Sequence, residues 1–581
     1  MSSNAADGIL AQEKQLLTKR NFWCFALGTF GRDFAYNLFV TNLISFILFT
    51  KTLSDLQFTF VSVIIIVARI FDAINDPIMG GIVENTRTRF GKFRPWIMIG
   101  AVTTCIVIVL LFSLPTDGWG FIALLAVMYF AFSITYTMND ISYWALLPHL
   151  ARNTHDRNKL SSVTQLVVSA GGGLALIAIP ALTTTYSRFL GGSARSAYMW
   201  ISIICAVFLM ISTFITFFGV QDHTEVIKGK SDENAPAAKN NDDSKLSVKD
   251  MFRVLKNNDQ LLYAALIMTI VSIGTGVIGG GLLTTYVYFN FGYDGLLTTV
   301  FSALAGIMTV LFTIFFPALM KKMGRTRLIN TGGCFIVGGY ALLLVLGLAV
   351  PNGDPLFEVL GMKFNLKFIL MMFVYGFACL GQSCYYNMMF LNISNTVEYN
   401  EWKTGKREES LIFSLRPFTA KMSSALQQLF VTVVYLAVGV LGVTNGISAL
   451  DRQASRGEIT NAQMLEQVND LLASVPDSKK NGLLIAMCLI PALLTLIAMI
   501  IYKKKFILND ETYERIKLEI AERKQAQAAL AGETLAEIEN EGTDAELGAL
   551  GENAVPAVEN AEIDKSEAAA AIAVEEEKEN E

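Results

Sequence analysis

The chain has 581 residues, 53% of them apolar and only 17% charged, with a mean hydropathy of +0.45. Soluble domains carry roughly 25% charge, so this composition excludes a soluble enzyme, and its apolar content excludes a disordered body. The net charge of −5 conceals an asymmetry: residues 510–581 carry −15 and residues 1–509 carry +10, a basic body with an acidic tail.

The first 20 residues hold Glu13, Lys14, Lys19 and Arg20 and no apolar core, so no cleaved signal peptide is expected. A membrane-spanning helix needs about 20 mainly apolar residues. Twelve stretches meet that need: 22–49, 58–83, 96–114, 119–147, 161–186, 198–220, 261–289, 296–319, 328–350, 366–392, 411–444 and 483–502. Pro77, Pro180, Pro317 and Pro417 mark candidate kinks or ends. The even-numbered loops carry Arg87, Arg89, Lys92, Arg94, Arg152, Arg157, Lys159, Lys321, Lys322, Arg325, Arg327, Lys403, Lys406 and Arg407, whereas the short odd-numbered loops offer few positive residues. Positive residues favour the cytoplasmic side, which predicts a multi-pass protein of the plasma (inner) membrane with both termini inside.

The expected organisation is a cytoplasmic segment (1–20), a six-helix bundle (21–220), a polar middle loop (221–259), a second six-helix bundle (260–503) and an acidic tail (504–581). A basic, glycine-containing loop follows the second span of each half, Arg87–Lys92 and Lys321–Arg327, which suggests an internal repeat. The predicted fold class is therefore an all-α polytopic membrane protein, twelve helices in the two-half major facilitator architecture. Within the second bundle, an outside loop at 445–480 spaces Met464, Leu465, Val468, Leu471 and Leu472 like a short surface helix. Residues 510–540 read as a charged helix, with disorder expected beyond them.

Several chemistries find no support. The seven cysteines form no CxxC or Cys/His cluster, which argues against a disulfide framework or zinc. Glycines at 171–173 and 279–281 lack the surroundings of a phosphate-binding loop and read as close helix packing. Asp72 and Asp76 share one helix and no GxGD-like sequence accompanies them, so an intramembrane aspartyl protease is disfavoured.

Ionised side chains within spans are the informative residues, because each costs about 2.5–3.5 kcal/mol at mid-membrane on insertion scales and marks a substrate or ion path. On span two, Asp72, Asn75 and Asp76 share one helical face. Two carboxylates and an amide oxygen suit a small cation, or could share a proton. On span four, Tyr136, Asp140 and Trp144 recur every four residues, with Thr137 beside them. An aromatic surface next to a carboxylate suits a sugar, whose C–H face stacks while its hydroxyls donate to the acid. Span one carries Arg32 and Asp33, neighbours about 100° apart that need not pair with each other. Span eleven carries Lys421, placed to neutralise an empty cation site, and Arg416, which faces the cavity or snorkels to the surface.

These residues resemble the glycoside–pentoside–hexuronide:cation symporter family. The resemblance covers all twelve spans and is strongest in Gly31-Arg32-Asp33-Phe34-Ala35, in Asp72-Ala73-Ile74-Asn75-Asp76-Pro77 and in Arg89-Phe90-Gly91-Lys92-Phe93-Arg94-Pro95-Trp96. It implies a sodium site at Asp72, Asn75, Asp76 and Thr137, and a sugar held chiefly by Asp33 and Asp140 with Arg32, Tyr136 and Trp144 around it. Lys421 corresponds to the lysine that links the two sites. Two departures concern the substrate: the arginine of melibiose-type members on span five falls here on Gln165, while Arg416 stands on span eleven where they have an uncharged residue. The expected function is cation-coupled symport of a sugar or glycoside by alternating access, with Na+ as coupling ion and no resident cofactor. The alternatives are H+ coupling, uncoupled carriage and, in a different class, lysolipid transport. The expected partners are a small sugar, a monovalent cation and the lipid bilayer, with no nucleic acid.

Overall fold

The computed structural model describes residues 18–220 and 253–540, apart from 87, 89, 152, 153, 254, 255, 360, 361 and 406–408. The middle loop, the end of the acidic tail and the loop residues Arg87, Arg89, Arg152, Lys406 and Arg407 therefore lie outside the described residues.

The first span is built from three consecutive helices, α1 (Lys19–Leu27), α2 (Phe30–Val40) and α3 (Leu43–Thr50). The chain bends by 45° before α3, where the Asn42 backbone and side-chain nitrogens both donate to the Asn37 carbonyl. Then come α4 (Asp55–Asn85), α5 (Arg94–Ser113), α6 (Gly118–Leu150), α7 (Thr154–Thr183) and α8 (Ala194–Gly219). The second half holds α9 (Asp259–Val277) and α10 (Leu283–Phe291), separated by a π-turn at Ile278–Leu282 in which Gly281 takes a φ of 118°. It continues with α11 (Gly295–Met323), α12 (Arg325–Ala349), α13 (Leu366–Thr404), α14 (Glu409–Val438) and α17 (Asp477–Lys505). Among the described residues, eleven helices are long and apolar enough to cross a membrane, or twelve with the bent first span. The helices run on through Pro77, Pro180 and Pro317 rather than ending there.

Burial explains why these helices need lipid. On α4 the large exposed residues Leu56, Phe60, Val63, Val67, Ile70, Ile74, Ile78 and Ile82 recur every three or four positions. They form one apolar stripe turned away from the protein, and water would oppose its exposure. The opposite face carries Ser62, Asp72, Asn75 and Asp76 inward. Polar residues line the interior here and apolar ones the perimeter, as a bilayer demands.

Helix α2 is wedged tightly. A Cβ at Gly171 of α7 would lie 2.4 Å from the Phe30 carbonyl, and one at Gly31 would lie 2.0 Å from the Phe208 carbonyl of α8. Only glycine permits these approaches, which hold Arg32 and Asp33 in a fixed position.

Helix α1 starts and α17 finishes at one end of the bundle, termed the terminal end; the opposite, far end is closed by contacts between the halves. Two short helices, α15 (Val440–Ser455) and α16 (Asn461–Ala473), occupy the stretch read as a loop with one surface helix. Asn445 exchanges two hydrogen bonds with the Leu53 backbone (3.0 and 2.8 Å). Ser448 donates to the carbonyls of Leu48 and Lys51. Asp451, 2% exposed, accepts from the Ala194 and Arg195 amides that begin α8, where a carboxylate meets the positive end of the helix dipole. Asn461 reaches Ser187 and Gly192. A small hairpin, β1 (Phe357–Val359) with β2 (Met362–Phe364), pairs Phe357 with Phe364 between α12 and α13.

Among the described residues, 397–405 and 508–540 belong to a second compact unit. In it the charged helix α18 (Asp510–Asn540) is tied by the Trp402 indole, which donates to Glu519 at 2.6 Å, and by Arg523, which donates to the Trp402 carbonyl.

Candidate sugar and cation sites

Three helices of the first half and one of the second bring the intramembrane charges together. From α2, the Arg32 guanidinium lies 3.3 Å from Asp33 and 3.2 Å from Asp140 of α6, bridging both acids. Adjacent helical residues diverge, so this pairing was not legible from spacing; the long Arg32 side chain folds back to reach its neighbour. Its guanidinium carbon sits 4.5 Å from the Tyr143 ring centre and 5.3 Å from that of Trp144. The Arg32 side chain is 3% exposed, while Asp140 remains 36% exposed. A buried guanidinium thus holds two carboxylates and two rings in place, and the open face of Asp140 is left to accept hydroxyls. Tyr136 stacks on Phe132 and packs near Tyr36, forming an aromatic wall on the same helix as Asp140.

One helix face away lies the second cluster. The Thr137 hydroxyl is 3.3 Å from Asp72 Oδ1 and 3.2 Å from Asp76 Oδ1, so one donor spans both carboxylates. Ser133, one turn earlier on α6, donates to Asp72 Oδ1 at 2.7 Å. The Asn75 amide donates to the Ser133 carbonyl at 3.4 Å. From the second half, the Lys421 ammonium of α14 lies 3.0 Å from Asp72 Oδ2 and also contacts Asp76 and the Asp72 carbonyl. Arg69 lies near Asp72, Tyr36 and Tyr129. The aspartates are therefore paired across the two halves by Lys421, with Arg69 beside Asp72.

Among the described residues no group of three His, Cys, Asp or Glu side chains is assembled to hold a metal ion. The cluster offers two carboxylates with neutral oxygens, a hard and weakly charged donor set rather than a transition-metal one.

Not every candidate joins these clusters. Gln165 on α7 is exposed, and among the described hydrogen bonds none joins its side chain to Arg32, Asp33 or Asp140. The Arg416 side chain lies outside the described residues. Sequence reasoning passed over Ser133 and Tyr143. For Ser133 the signal was present, since it stands four residues before Thr137 and so on the same face; its lack of charge hid it.

The model of a family described as "MFS/sugar transport protein" matches residues 24–507. The chain belongs to that family. It is a family of transporters and not of enzymes, and the major facilitator fold follows. The chain is 27% identical over 512 residues to the raffinose carrier protein of Pediococcus pentosaceus, a match covering 85% of this chain and 70% of that one. It is 24% identical to the lactose permease of Leuconostoc lactis, over 89% of this chain and 74% of the relative. The isoprimeverose transporter of Lactiplantibacillus pentosus is 26% identical over 68% of this chain and 76% of its own length. These matches accord with membership among the glycoside–pentoside–hexuronide:cation symporters. A bacterial homologue of the human lysosomal transporter Spinster, solved inward-facing and unoccupied, shares the fold with a TM-score of 0.55 at 12% identity, over 85% of this chain and 98% of that one.

Proposed function

We propose that this protein is a sodium-coupled symporter of a sugar or glycoside in the plasma membrane, with its terminal end in the cytoplasm and its far end outside. The sugar binds Asp33 and Asp140, which accept its hydroxyls, against Tyr136 and Trp144. Arg32 holds both acids in register. The departures at Gln165 and Arg416 bear on which sugar is carried. Sodium binds Asp72, Asn75, Asp76 and Thr137. As co-substrate it replaces the Lys421 ammonium, which offsets one of the two negative charges before it arrives.

The observation that carries this reading is the shared engagement of Asp72 and Asp76 by Thr137 and by Lys421. Without a countercharge two such carboxylates would be strongly disfavoured. Lys421 supplies one from the opposite half, so a cation that displaces it also frees the two halves to move. Ser133 and Thr137 belong to the same helix as Asp140. Fixing the cation therefore fixes the sugar-binding face, and by linkage each ligand tightens the other. Alternating access follows from rocking of the halves around this shared site, with the far end opening when the contacts of Asn445, Ser448 and Asp451 part.

The raffinose, lactose and isoprimeverose named for the relatives set the starting panel for the substrate. The test is uptake of labelled sugars by cells lacking their own carriers, with and without sodium and with a proton uncoupler. Sodium-dependent uptake of one of them that survives the uncoupler supports the reading. Uptake that the uncoupler abolishes and sodium does not restore would assign proton coupling instead.

A further inference from the structure

Ser133 stands in the second cluster without a role in the donor set described above. It is 3% exposed, and its hydroxyl donates to Asp72 Oδ1 at 2.7 Å, shorter than the 3.3 Å from Thr137 to the same atom. Its carbonyl accepts the Asn75 amide at 3.4 Å. One residue thereby touches two members of the proposed cation site, through its side chain and its backbone. The consequence is directional. With Oδ1 of Asp72 held by two hydroxyls of α6, the other oxygen, Oδ2, is turned toward Lys421 at 3.0 Å, the position an entering cation must take over.

We propose that Ser133 is a positioning residue of the cation site, which holds Oδ1 of Asp72 and so presents Oδ2 to an entering alkali ion. The physical basis is that a neighbour bonded to one oxygen of a ligating carboxylate fixes the direction of the other, and removing such a partner weakens metal binding. Hydrogen bonds to charged groups are among the stronger ones in proteins, and at a buried position water does not replace the lost donor. Ser133 does not touch the cluster of Arg32, Asp33 and Asp140 through any described hydrogen bond, so its effect falls on the ion and not on the sugar.

This inference rests on the proposed sodium site, and its test separates the two. The sodium dependence of labelled-sugar binding is titrated on the purified full-length protein, as wild type, Ser133→Ala and Ser133→Thr. In Ser133→Ala the sodium concentration for half-maximal effect is expected to rise about tenfold. Sugar affinity at saturating sodium should stay within about twofold of wild type. Ser133→Thr, which keeps the hydroxyl, should return the half-maximal concentration toward the wild-type value. A wild type that responds to sodium beside an unchanged Ser133→Ala overturns the role of Ser133 and leaves the site standing. That role is equally overturned if Ser133→Ala weakens sugar binding at saturating sodium without moving its sodium dependence. A wild type indifferent to sodium overturns the site and the role of Ser133 together.

Discussion

Asp72→Asn removes one charge from the cation cluster while keeping its shape, so its effect can be worked from the geometry. Asp72, Asp76 and Lys421 together carry one net negative charge, which an entering sodium ion neutralises. In the variant Asp76 is the one carboxylate left, so the ion that takes over from Lys421 loses a charged partner. At the 3.0 Å separation found between Asp72 and Lys421, one unit-charge interaction is about 5.5 kcal/mol at an effective dielectric of 20. The Asp72 side chain is 21% exposed, and Lys421 loses its attraction at the same time, so about half of that is a fair net figure. A loss of about 2.5 kcal/mol corresponds to about a 70-fold weaker response to sodium. The amide oxygen of the introduced asparagine can still accept from Ser133 and Thr137, so α4 and α6 should remain packed. Sodium titration of labelled-sugar binding to purified protein measures the effect. Sugar affinity without sodium should change by no more than about threefold. An Asp72→Asn protein with a wild-type sodium response would refute the electrostatic reasoning.

Three further outcomes follow from the same structure. Asp140→Asn should lower sugar affinity by at least about tenfold, since a neutral amide accepts hydroxyls more weakly than a carboxylate and the Arg32 bridge is lost; equilibrium binding that is unchanged would remove Asp140 from the pocket. Gly171→Ala should lower the melting temperature by several degrees, because its methyl group cannot fit 2.4 Å from the Phe30 carbonyl; a thermal-shift scan that matches wild type would contradict the wedging of α2. At the far end, burial raises the Asp451 carboxyl to about 6 against the two backbone amides and Arg195, which act to lower it. A group raised on closure contributes its full stabilisation below its solvated value of about 4 and loses it as pH rises through 6. Acidifying the solution at the far end from pH 7 to 5 should therefore favour closure about ninefold through Asp451. Burial lowers Lys51, near Arg195, Asp117 and Arg452, to about 7, and its protonation opposes this by about twofold. The net expectation is a labelling rate about fivefold slower at pH 5 than at pH 7 for a cysteine placed at Leu48, reversed in Asp451→Asn to about twofold faster, the part that Lys51 supplies. Faster labelling on acidification with Asp451 in place would show that the sign is wrong.

How much of this could be read from the sequence varies with distance along the chain. The spans announce themselves because lipid tolerates few charges, so Asp72, Asp76 and Lys421 stand out against their surroundings. The common face of Asp72, Asn75 and Asp76 follows from helical periodicity alone. What spacing could not reveal were contacts between helices: Lys421 reaching across from the other half, Arg32 bridging Asp33 and Asp140, and Ser133 meeting Asp72. The breaks in the first span were also hidden, since Gly28 and Asn42 sit inside a run whose hydropathy is continuous. Residues 445–480 read as polar chain with a faint apolar rhythm, because α15 and α16 bury one side against the bundle and expose the other to water. Their roles as ties between the halves rest on Asn445, Ser448 and Asp451, ordinary polar residues whose partners lie hundreds of positions away.

The most direct test of sodium coupling is transport in liposomes that hold the purified protein, with a sodium gradient imposed at equal pH and zero membrane potential. Coupling through the Asp72–Asp76 cluster predicts that the carried sugar accumulates above its external concentration, and that Asp76→Asn abolishes accumulation while leaving measurable sugar binding. Accumulation that ignores the sodium gradient and follows a pH gradient alone would contradict it.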